Sequence, residues 1–316
     1  MSTLHEPVLV GEVLHYLAPR PGGIYVDGTV GAGGHSDAIL EAVDGRCRLI
    51  GIDRDPEALA AARRVLARWG EAVQLAHANY AGFEAVLDDL GIGTVDGFLL
   101  DLGVSSLQLD RPERGFSYQQ DAPLDMRMDQ TGGPTAADLL NRLDAGELTR
   151  ILREYGEERW AARIAAFIVD ARQRDRIATT AQLEAVIKAA IPAAARRRGG
   201  HPARRTFQAL RIAVNDELGA LSRVIEPAAR RLAAGGRLVI ISFHSLEDRI
   251  VKRWFQRLSR GCACPPGAEC RCGGERILEV LTRRPVKAAE HEVRRNPRAR
   301  SAKLRAARRI AATGRE

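Results

Sequence analysis

Aromatic residues and long apolar segments are both scarce in this 316-residue chain. Phe, Trp and Tyr make up 5% of the residues, which leaves too few rings for an extended base-stacking platform. No run of about 18 apolar residues occurs, so we expect no membrane-spanning helix. Residues 1–7 lack the basic and apolar parts of a signal peptide, and we therefore expect a cytoplasmic protein.

Cysteine is also scarce, with five in the chain. In a protein that is not secreted, such thiols are expected to be reduced or metal-bound rather than paired in disulfides. Four of them lie close together, at Cys262, Cys264, Cys270 and Cys272. Four thiolates could hold a structural zinc ion, but the Cys-x-Cys spacing strains a tetrahedral site, and a reduced or redox-labile loop is the alternative. No residue is therefore assigned as a metal ligand.

Acidic residues are outnumbered by basic ones, which gives a net charge of +8 and a pI near 9.6. This balance favours a polyanionic partner, although an arginine-rich enzyme could have it without one. The basic residues concentrate at 196–198, at Arg204, Arg205 and Arg211, and in a tail at 283–309. Such segments can hold phosphates regardless of base sequence, or they can be solvated charge runs.

Short apolar runs alternate with helical patterns and predict an α/β fold with a mostly parallel sheet. The predicted strands are residues 24–27, 47–53, 73–77, 95–103, 235–245 and 277–281. The first, second and fourth carry an acid at or near their carboxyl ends, namely Asp27, Asp53 and Asp101. Ligands of open α/β sheets bind outside the carboxyl ends of the strands, so we expect these carboxylates to converge.

Strand patterns are missing between residues 105 and 235. A long aperiodic loop is followed there by helical patterns, the last of them a single helix over 206–233. We therefore predict a discontinuous core of residues 1–105 and 216–316, with an inserted loop and all-helical domain at 106–215. Long loops in compact enzymes commonly carry function.

A glycine-rich loop at residues 27–36 joins a predicted strand to a predicted helix, an arrangement that binds ligands on bare backbone. It lacks the lysine of a P-loop, and its glycine spacing differs from the dinucleotide-binding Gly-x-Gly-x-x-Gly. Asp27, before the first glycine, would repel a pyrophosphate but suits an ammonium group. Asp53 can accept a hydrogen bond from a ribose diol. S-adenosylmethionine offers both groups and is the predicted ligand; alternatively, these aspartates only cap helices or end strands.

Motifs along almost the whole chain resemble those of the RsmH (MraW) family. They are Asp27-Gly-Thr-Val-Gly-Ala-Gly-Gly-His-Ser, Asp53-Arg-Asp-Pro, Leu100-Asp-Leu-Gly-Val-Ser-Ser-Leu-Gln-Leu-Asp, Glu113-Arg-Gly-Phe-Ser-Tyr, Pro123-Leu-Asp-Met-Arg-Met-Asp, Arg205-Thr-Phe-Gln-Ala-Leu-Arg-Ile, Ile241-Ser-Phe-His-Ser-Leu-Glu-Asp and Arg294-Arg-Asn-Pro-Arg-Ala-Arg-Ser-Ala-Lys-Leu-Arg. The resemblance implies a class I, Rossmann-like methyltransferase core with an inserted helical domain. It also implies transfer of a methyl group from S-adenosylmethionine to N4 of a P-site cytidine in 16S rRNA.

The resemblance also implies site residues. By position, the family's cofactor contacts fall on Gly33, Gly34, His35, Asp53, Tyr80, Asp101 and Gln108. The loop argument adds Asp27 and Gly31. N4 of cytosine is a poor nucleophile because its lone pair is delocalised into the ring. A carboxylate that accepts a hydrogen bond from N4 would make this lone pair more available. Asp101 is the catalytic candidate, with a purely cofactor-binding role as the alternative.

Further residues are predicted to bind the RNA substrate. Phe243 could stack on an extruded base beside His244, or both could be ordinary strand-end residues. Asp125 and Arg127 in the long loop could hold cytosine or a phosphate, or form a local ion pair. Arg204 and Arg205 complete the predicted substrate contacts. The assembled small ribosomal subunit is the expected partner, and the protein could be a monomer or a homodimer.

Two other functions remain open at this point. A methyltransferase of the same fold could act on DNA or on a small molecule, although the basic tail and the insertion weigh against a small molecule. The chain could also be a non-catalytic RNA-binding or ribosome-assembly factor. The acids at all three strand ends argue against that second alternative.

Overall fold

The structure is a computed structural model that describes residues 7–196, 200–260 and 275–311. The chain divides into two compact units, one formed by residues 1–103 and 218–316 and the other by residues 104–217. None of the helices in the described ranges combines the length and the hydrophobicity that a membrane span requires. The four clustered cysteines, Cys262, Cys264, Cys270 and Cys272, lie outside the described residues, as do Arg197 and Arg198.

The first unit is built on a seven-stranded sheet. Its strands are β1 (Ile24–Asp27), β2 (Arg48–Asp53), β3 (Val73–His77), β4 (Val95–Asp101), β5 (Leu232–Ser242), β6 (Leu278–Val280) and β7 (Lys303–Arg309). Their order in the sheet is β3-β2-β1-β4-β5-β7-β6. β1 to β5 run parallel, and β7 is antiparallel to both β5 and β6. From β1 the chain adds β2 and β3 on one side and then β4 and β5 on the other. The gap between β1 and β4 is therefore the topological switch point, where open α/β sheets bind ligands.

The helices, in chain order, are α1 (Val10–Leu17), α2 (Gly34–Glu41), α3 (Pro56–Leu66), α4 (Phe83–Asp89), α5 (Ser106–Asp110), α6 (Ala136–Arg142), α7 (Ala145–Gly156), α8 (Ala161–Arg174), α9 (Thr180–Ala190), α10 (Ala193–Arg196), α11 (Arg204–Asn215), α12 (Glu217–Arg231), α13 (Ser245–Arg260) and α14 (Glu290–Arg295). Apolar side chains of α1, α2 and α3 pack on one face of the sheet, and those of α4, α12 and α13 on the other. Neighbouring residues of β4 alternate between these faces: Phe98 and Leu100 join one layer and Leu99 the other. The sheet is therefore covered on both sides, as a parallel sheet requires.

Strand β7 was not predicted, because its residues were assigned to a basic tail that contacts RNA. In the structure Leu304, Ala306 and Ala307 are buried in the sheet. The buried Arg305 donates from Nε to Asp248 Oδ1 at 2.6 Å, which neutralises its charge inside the protein. The prediction of a phosphate-binding tail is therefore wrong for Arg305, and for the partly exposed Lys303, Arg308 and Arg309 of β7 it stays a prediction.

The second unit has its own apolar core. Side chains of α6, α7, α8, α9 and α11 form it, among them the fully buried Leu140, Leu148 and Ile164. The predicted single helix over 206–233 is wrong, because α11 ends at Asn215 and α12 begins at Glu217. Asp216 between them has φ +48°, the left-handed conformation that ends helices.

Candidate active site

The glycine-rich loop is fixed to the end of β1 by the side chain of Asp27. Asp27 is buried, and its Oδ1 accepts the backbone N–H of Thr29 at 3.1 Å. Its Oδ2 accepts the hydroxyl of Ser36, in the first turn of α2, at 2.8 Å. Burial raises the pKa of this carboxyl group. The contacts seen for Asp27 are therefore with the loop itself, and its predicted contact with the cofactor stays a prediction.

Asp53, at the end of β2, faces the same loop. Its Oδ2 accepts the backbone N–H of Gly31 at 2.8 Å, and its Oδ1 accepts that of Asp55 at 2.9 Å. Burial raises the pKa of Asp53 to about 6, against the opposing effect of these two hydrogen bonds. Each carboxylate oxygen has a second lone pair, so the orientation fixed by the backbone leaves Asp53 able to accept from a diol.

Asp101 ends β4, on the other side of β1. Its backbone N–H donates to Thr29 Oγ1 at 2.6 Å, which links this strand end to the glycine-rich loop. Its Oδ2 lies 3.6 Å from Nδ1 of the buried His35 in α2. Its Oδ1 is shielded from solvent and has no hydrogen-bond partner among the described residues. Burial raises the pKa of Asp101 to about 6.

The tautomer of His35 follows from its other nitrogen. Nε2 lies 2.8 Å from the carbonyl oxygen of Val8, and a carbonyl only accepts, so Nε2 carries a proton. In neutral His35, Nδ1 is therefore a lone-pair acceptor facing Asp101.

Phe243 and His244 follow the end of β5, the strand next to β4. The backbone N–H groups of both donate to Glu247 Oε2, at 2.8 and 3.2 Å, which closes the first turn of α13. His244 Nδ1 accepts the N–H of Glu247 at 3.4 Å, so the neutral ring carries its proton on Nε2. Nε2 is buried 3.2 Å from Glu247 Oε1, without a well-aligned hydrogen bond in the described part of the chain. Phe243 is half-buried, and its ring lies beside Gly103.

Comparison with known proteins decides which chemistry this strand-end arrangement serves. The model of the MraW methylase family matches residues 2–310. The chain belongs to the MraW methylase family. A protein of Heliobacterium modesticaldum named Ribosomal RNA small subunit methyltransferase H is 58% identical over 308 residues, covering 97% of this chain and 98% of its own. A protein of the same name from Geobacter sulfurreducens is 58% identical over 311 residues, covering 98% of this chain and all of its own.

The solved structures that match this chain are more distant. An rRNA methylase from Streptococcus thermophilus is 10% identical with a TM-score of 0.42, and the match covers 96% of this chain and 94% of the other. A SAM-dependent O-methyltransferase from Thermotoga maritima is 10% identical with a TM-score of 0.43, covering 99% and 70%. Membership in the MraW family makes this chain an S-adenosylmethionine-dependent methyltransferase.

The residues of the loop suit the cofactor of the MraW family. No described side chain caps α2, whose N-cap Gly33 has φ +93°, so the N–H groups of Gly34 and His35 are placed to receive a carboxylate. A Cβ at Gly31 would make only an ordinary van der Waals contact, 3.7 Å from the Thr29 carbonyl oxygen. The buried Asp101 Oδ1 has no donor in the described protein, and a ligand hydroxyl or amine would supply one. Beside the glycine-rich loop, the fold thus provides two carboxylate hydrogen-bond acceptors, Asp53 and Asp101. The backbone N–H groups at the start of α2 are the hydrogen-bond donors.

Tyr80 and Gln108 occupy different surroundings. Tyr80 is half-buried after β3, and its Cβ lies close to Gly28 of the loop. Gln108 belongs to the second unit, where it is buried and its Oε1 accepts the N–H of Ser105 at 3.0 Å. That bond completes a capping box at the start of α5. For Gln108 the visible role is helix capping, and cofactor binding stays a prediction.

The predicted substrate residues of the long loop contact each other. Asp125 accepts hydrogen bonds from Nε and Nη2 of Arg127, both at 2.8 Å, and from the Arg127 backbone N–H. Burial alone would raise the pKa of Asp125, but these bonds outweigh it and lower the pKa. This is the local ion pair that the sequence left as the alternative. A phosphate bound by Arg127 would have to replace one of these bonds.

Two of the predicted RNA-binding arginines are exposed and one is not. Arg204 and Arg205 are exposed at the start of α11, where Arg205 also donates to the carbonyl of Glu157 at 3.3 Å. Arg211 donates from Nε and Nη2 to the two carboxylate oxygens of the buried Glu217, both at 2.8 Å. The prediction that Arg211 belongs to a phosphate-binding surface is therefore wrong.

Sequence reasoning missed three residues that hold the site in place. Thr29 joins the loop to Asp101, Ser36 orients Asp27, and Glu247 closes the turn that carries His244. Thr29 and Ser36 lie inside the glycine motif, so their position was a signal. The spacing from His244 to Glu247 is that of a capping pair, which is also visible in the sequence.

Proposed function

We propose that this enzyme transfers a methyl group from S-adenosylmethionine to N4 of a cytidine in the P site of 16S rRNA. Two findings support methylation of small-subunit rRNA. They are membership in the MraW family and relatives of 58% identity named Ribosomal RNA small subunit methyltransferase H. The choice of cytidine N4 rests on the resemblance of the motifs and on the chemistry of Asp101.

The observation that carries the N4 proposal is the unpartnered Oδ1 of Asp101. An amino group is a hydrogen-bond donor, and Asp101 Oδ1 is a buried acceptor that the described protein leaves unused. A hydrogen bond from N4 to this carboxylate shifts electron density from the N–H bond towards nitrogen. The N4 lone pair then becomes more available for attack.

Proton balance requires an acceptor at the same place. S-adenosylmethionine supplies a methyl group activated by its positively charged sulfur. N4 loses one proton when it gains the methyl group, and the Asp101 carboxylate takes that proton. A carboxylate with a pKa of about 6 accepts a proton more readily than an ordinary aspartate and is still ionised at pH 7. His35 Nδ1 lies 3.6 Å from the other oxygen of this carboxylate.

The target base needs contacts besides the one at N4. His244 Nε2 carries a proton and lies 3.2 Å from Glu247 Oε1 without a well-aligned hydrogen bond, so an acceptor of the cytosine ring would compete with that carboxylate for its N–H. Phe243, half-buried beside it, can pack on the face of an extruded base. Both follow β5, which pairs with the strand that ends in Asp101.

The RNA outside the target nucleotide is assigned to the basic residues of the second unit and of the segment before β7. Arg204 and Arg205 on α11, and Arg294, Arg295 and Arg300 around α14, are exposed. Lysine and arginine at such positions bind phosphates without reading sequence. Because the P site is structured RNA, we propose the small ribosomal subunit as the substrate and the cytoplasm as the place of reaction.

The test uses small ribosomal subunits from a strain without this enzyme and S-adenosylmethionine labelled in its methyl group. We expect one methyl group per subunit, recovered as N4-methylcytidine after digestion to nucleosides. Label in another nucleoside of the same RNA would overturn the N4 assignment, and label in no RNA would overturn the function.

The same assay tests Asp101 with a matched control. Asp101→Asn removes the carboxylate and should reduce single-turnover methylation by a factor of about 100 or more, the usual size for a lost general base. Asp89→Asn changes an exposed aspartate of the same unit and should leave the rate unchanged. Equal rates for Asp101→Asn and wild type would remove Asp101 from the mechanism.

A further inference from the structure

Helix α13 has one exposed face that carries only positive charge. The side chains on this face are Arg249, Lys252, Arg253, Gln256, Arg257 and Arg260. Their spacing of three and four residues places them along one side of the helix. From Arg249 to Arg260 the face extends about 16 Å, at 1.5 Å per residue. We refer to it as the α13 basic face.

The two acidic residues of α13 do not offset this charge. Glu247 is buried and accepts the N–H groups of the turn before the helix. Asp248 is held by Arg305 of β7, with Nε to Oδ1 at 2.6 Å. Among the residues that the structure describes, Lys252, Arg253 and Arg260 have no carboxylate within ion-pair distance. The charges of Lys252, Arg253 and Arg260 on the α13 basic face are therefore directed at solvent.

The opposite side of α13 is committed to the core. Val251, Phe255 and Leu258 are buried in the layer that covers one face of the sheet. Trp254 is half-buried, and the guanidinium of Arg257 lies 4.9 Å from its ring centre. Because the apolar side of α13 is already buried, it cannot insert into a lipid surface. The exposed positive charges therefore favour a soluble polyanion as the partner.

The helix begins at the residues that the proposed function gives to the target base. Phe243 and His244 immediately precede it, and Arg249 follows His244 by five residues, or about 7 Å along the axis. A strand whose extruded base lies at His244 would thus have neighbouring phosphates within reach of the α13 basic face. In a duplex, each strand places a phosphate about every 3.4 Å along the helix axis, so a 16 Å face can contact more than one of them.

We propose that the α13 basic face binds the phosphate backbone of the small-subunit rRNA next to the target nucleotide. The inference rests on the proposed function, because it takes rRNA as the polyanion. The charge sign, the absence of acids on the face and its continuity with His244 support this occupant. An acidic protein partner is the competing occupant that the experiment has to separate.

The test compares two variants that each remove two exposed charges from a helix of the first unit. Arg253→Gln/Arg260→Gln changes the α13 basic face, and Arg63→Gln/Arg64→Gln changes exposed residues of α3. The affinity of each protein for unmethylated small subunits and for the 16S rRNA extracted from them is measured at 50 and 200 mM salt. Binding of S-adenosylmethionine is measured in parallel to report an intact site.

The expected result is a weaker salt dependence for the α13 variant alone. Each lost phosphate contact lowers the slope of log affinity against log salt by about 0.9, so two contacts lower it by about 1.8. Between 50 and 200 mM salt, the factor by which affinity falls should then be about 12 times smaller for the α13 variant than for wild type. Arg253→Lys/Arg260→Lys, which keeps both charges, should restore the wild-type slope.

Other outcomes overturn the inference. An α13 variant with the wild-type slope, or an α3 variant with the same loss, would show that this face makes no specific phosphate contact. A loss of affinity for subunits without a loss for the extracted RNA would identify a protein of the subunit as the occupant. If wild type neither binds nor methylates the RNA, the proposed function fails first; wild-type methylation with an unaffected α13 variant overturns only this inference.

Discussion

Asp101→Asn should make the cofactor-free enzyme more stable at neutral pH. Burial raises the pKa of Asp101 from 3.8 to about 6, which means that folding disfavours its ionised form. A difference of about 2.2 pKa units corresponds to about 3 kcal/mol at 1.36 kcal/mol per unit. About a quarter of the side chain is exposed to water, so we expect a gain of about 2 kcal/mol for the neutral asparagine.

The pH dependence gives this prediction its sign. Between about pH 4 and 6 the folded wild-type protein binds a proton at Asp101 that the unfolded chain has released. Wild type therefore loses stability relative to Asp101→Asn as the pH rises through this range. The difference should be about a third of its full size at pH 4.5, grow with pH, and become constant above about pH 7.

The asparagine also has a hydrogen-bond partner that the ionised aspartate lacks. Because His35 Nε2 donates to the Val8 carbonyl, neutral His35 presents a lone pair at Nδ1. The amide N–H of Asn at position 101 can donate to it, whereas a carboxylate cannot. Gain of stability should therefore accompany loss of activity, as expected where a charged group is kept for function.

The assay is urea unfolding of wild type and Asp101→Asn without cofactor, at intervals from pH 4.5 to 8.5. Asp89→Asn, an exposed aspartate of the same unit, serves as control and should stay within about 0.5 kcal/mol of wild type. A difference that is the same at every pH, or an Asp101→Asn protein that is less stable at pH 8, would refute the reasoning.

Three further predictions concern other parts of the molecule. Asp53→Asn should weaken S-adenosylmethionine binding about tenfold or more in calorimetry, and wild-type affinity should fall as the pH drops through about 6, where Asp53 becomes protonated; equal affinities would contradict its role. Arg305→Ala should cost about 3 kcal/mol in urea unfolding because Asp248 stays partly buried without its partner, and a cost below about 1 kcal/mol would contradict that pairing. Gly115→Ala should destabilise the second unit by more than about 2 kcal/mol and expose it to proteases, since Gly115 has φ +73° and an added Cβ would lie 2.4 Å from the Pro123 carbonyl oxygen; wild-type resistance would contradict this.

Much of the first unit could be predicted because its signals are local. A short apolar run followed by an acid gave the ends of β1, β2 and β4, and the structure places these three strands side by side. Parallel strands carry their carboxyl ends to one edge, so Asp27, Asp53 and Asp101 border the glycine-rich loop. The expected boundaries of the inserted domain, 106 and 215, compare with 104 and 217 for the second compact unit.

Charged residues were the main source of error. In the sequence, nothing distinguishes Arg305 and Arg211 from the exposed Arg204. In the folded protein, Asp248 neutralises Arg305 and Glu217 neutralises Arg211. Glu217 is six residues from Arg211, beyond a helix end, and Asp248 is 57 residues from Arg305. Nothing in the local pattern identifies such partners, because they are brought together only by packing.

The sequence by itself determined the family, the α/β core and the acids at the strand ends, since these depend on residue type and short-range order. Tertiary structure decided what each acid does. Asp27 holds the loop, Asp53 is oriented by backbone N–H groups, and Asp101 has an oxygen that no described residue engages. Burial and hydrogen-bond partners set these roles, and both depend on residues distant in the chain.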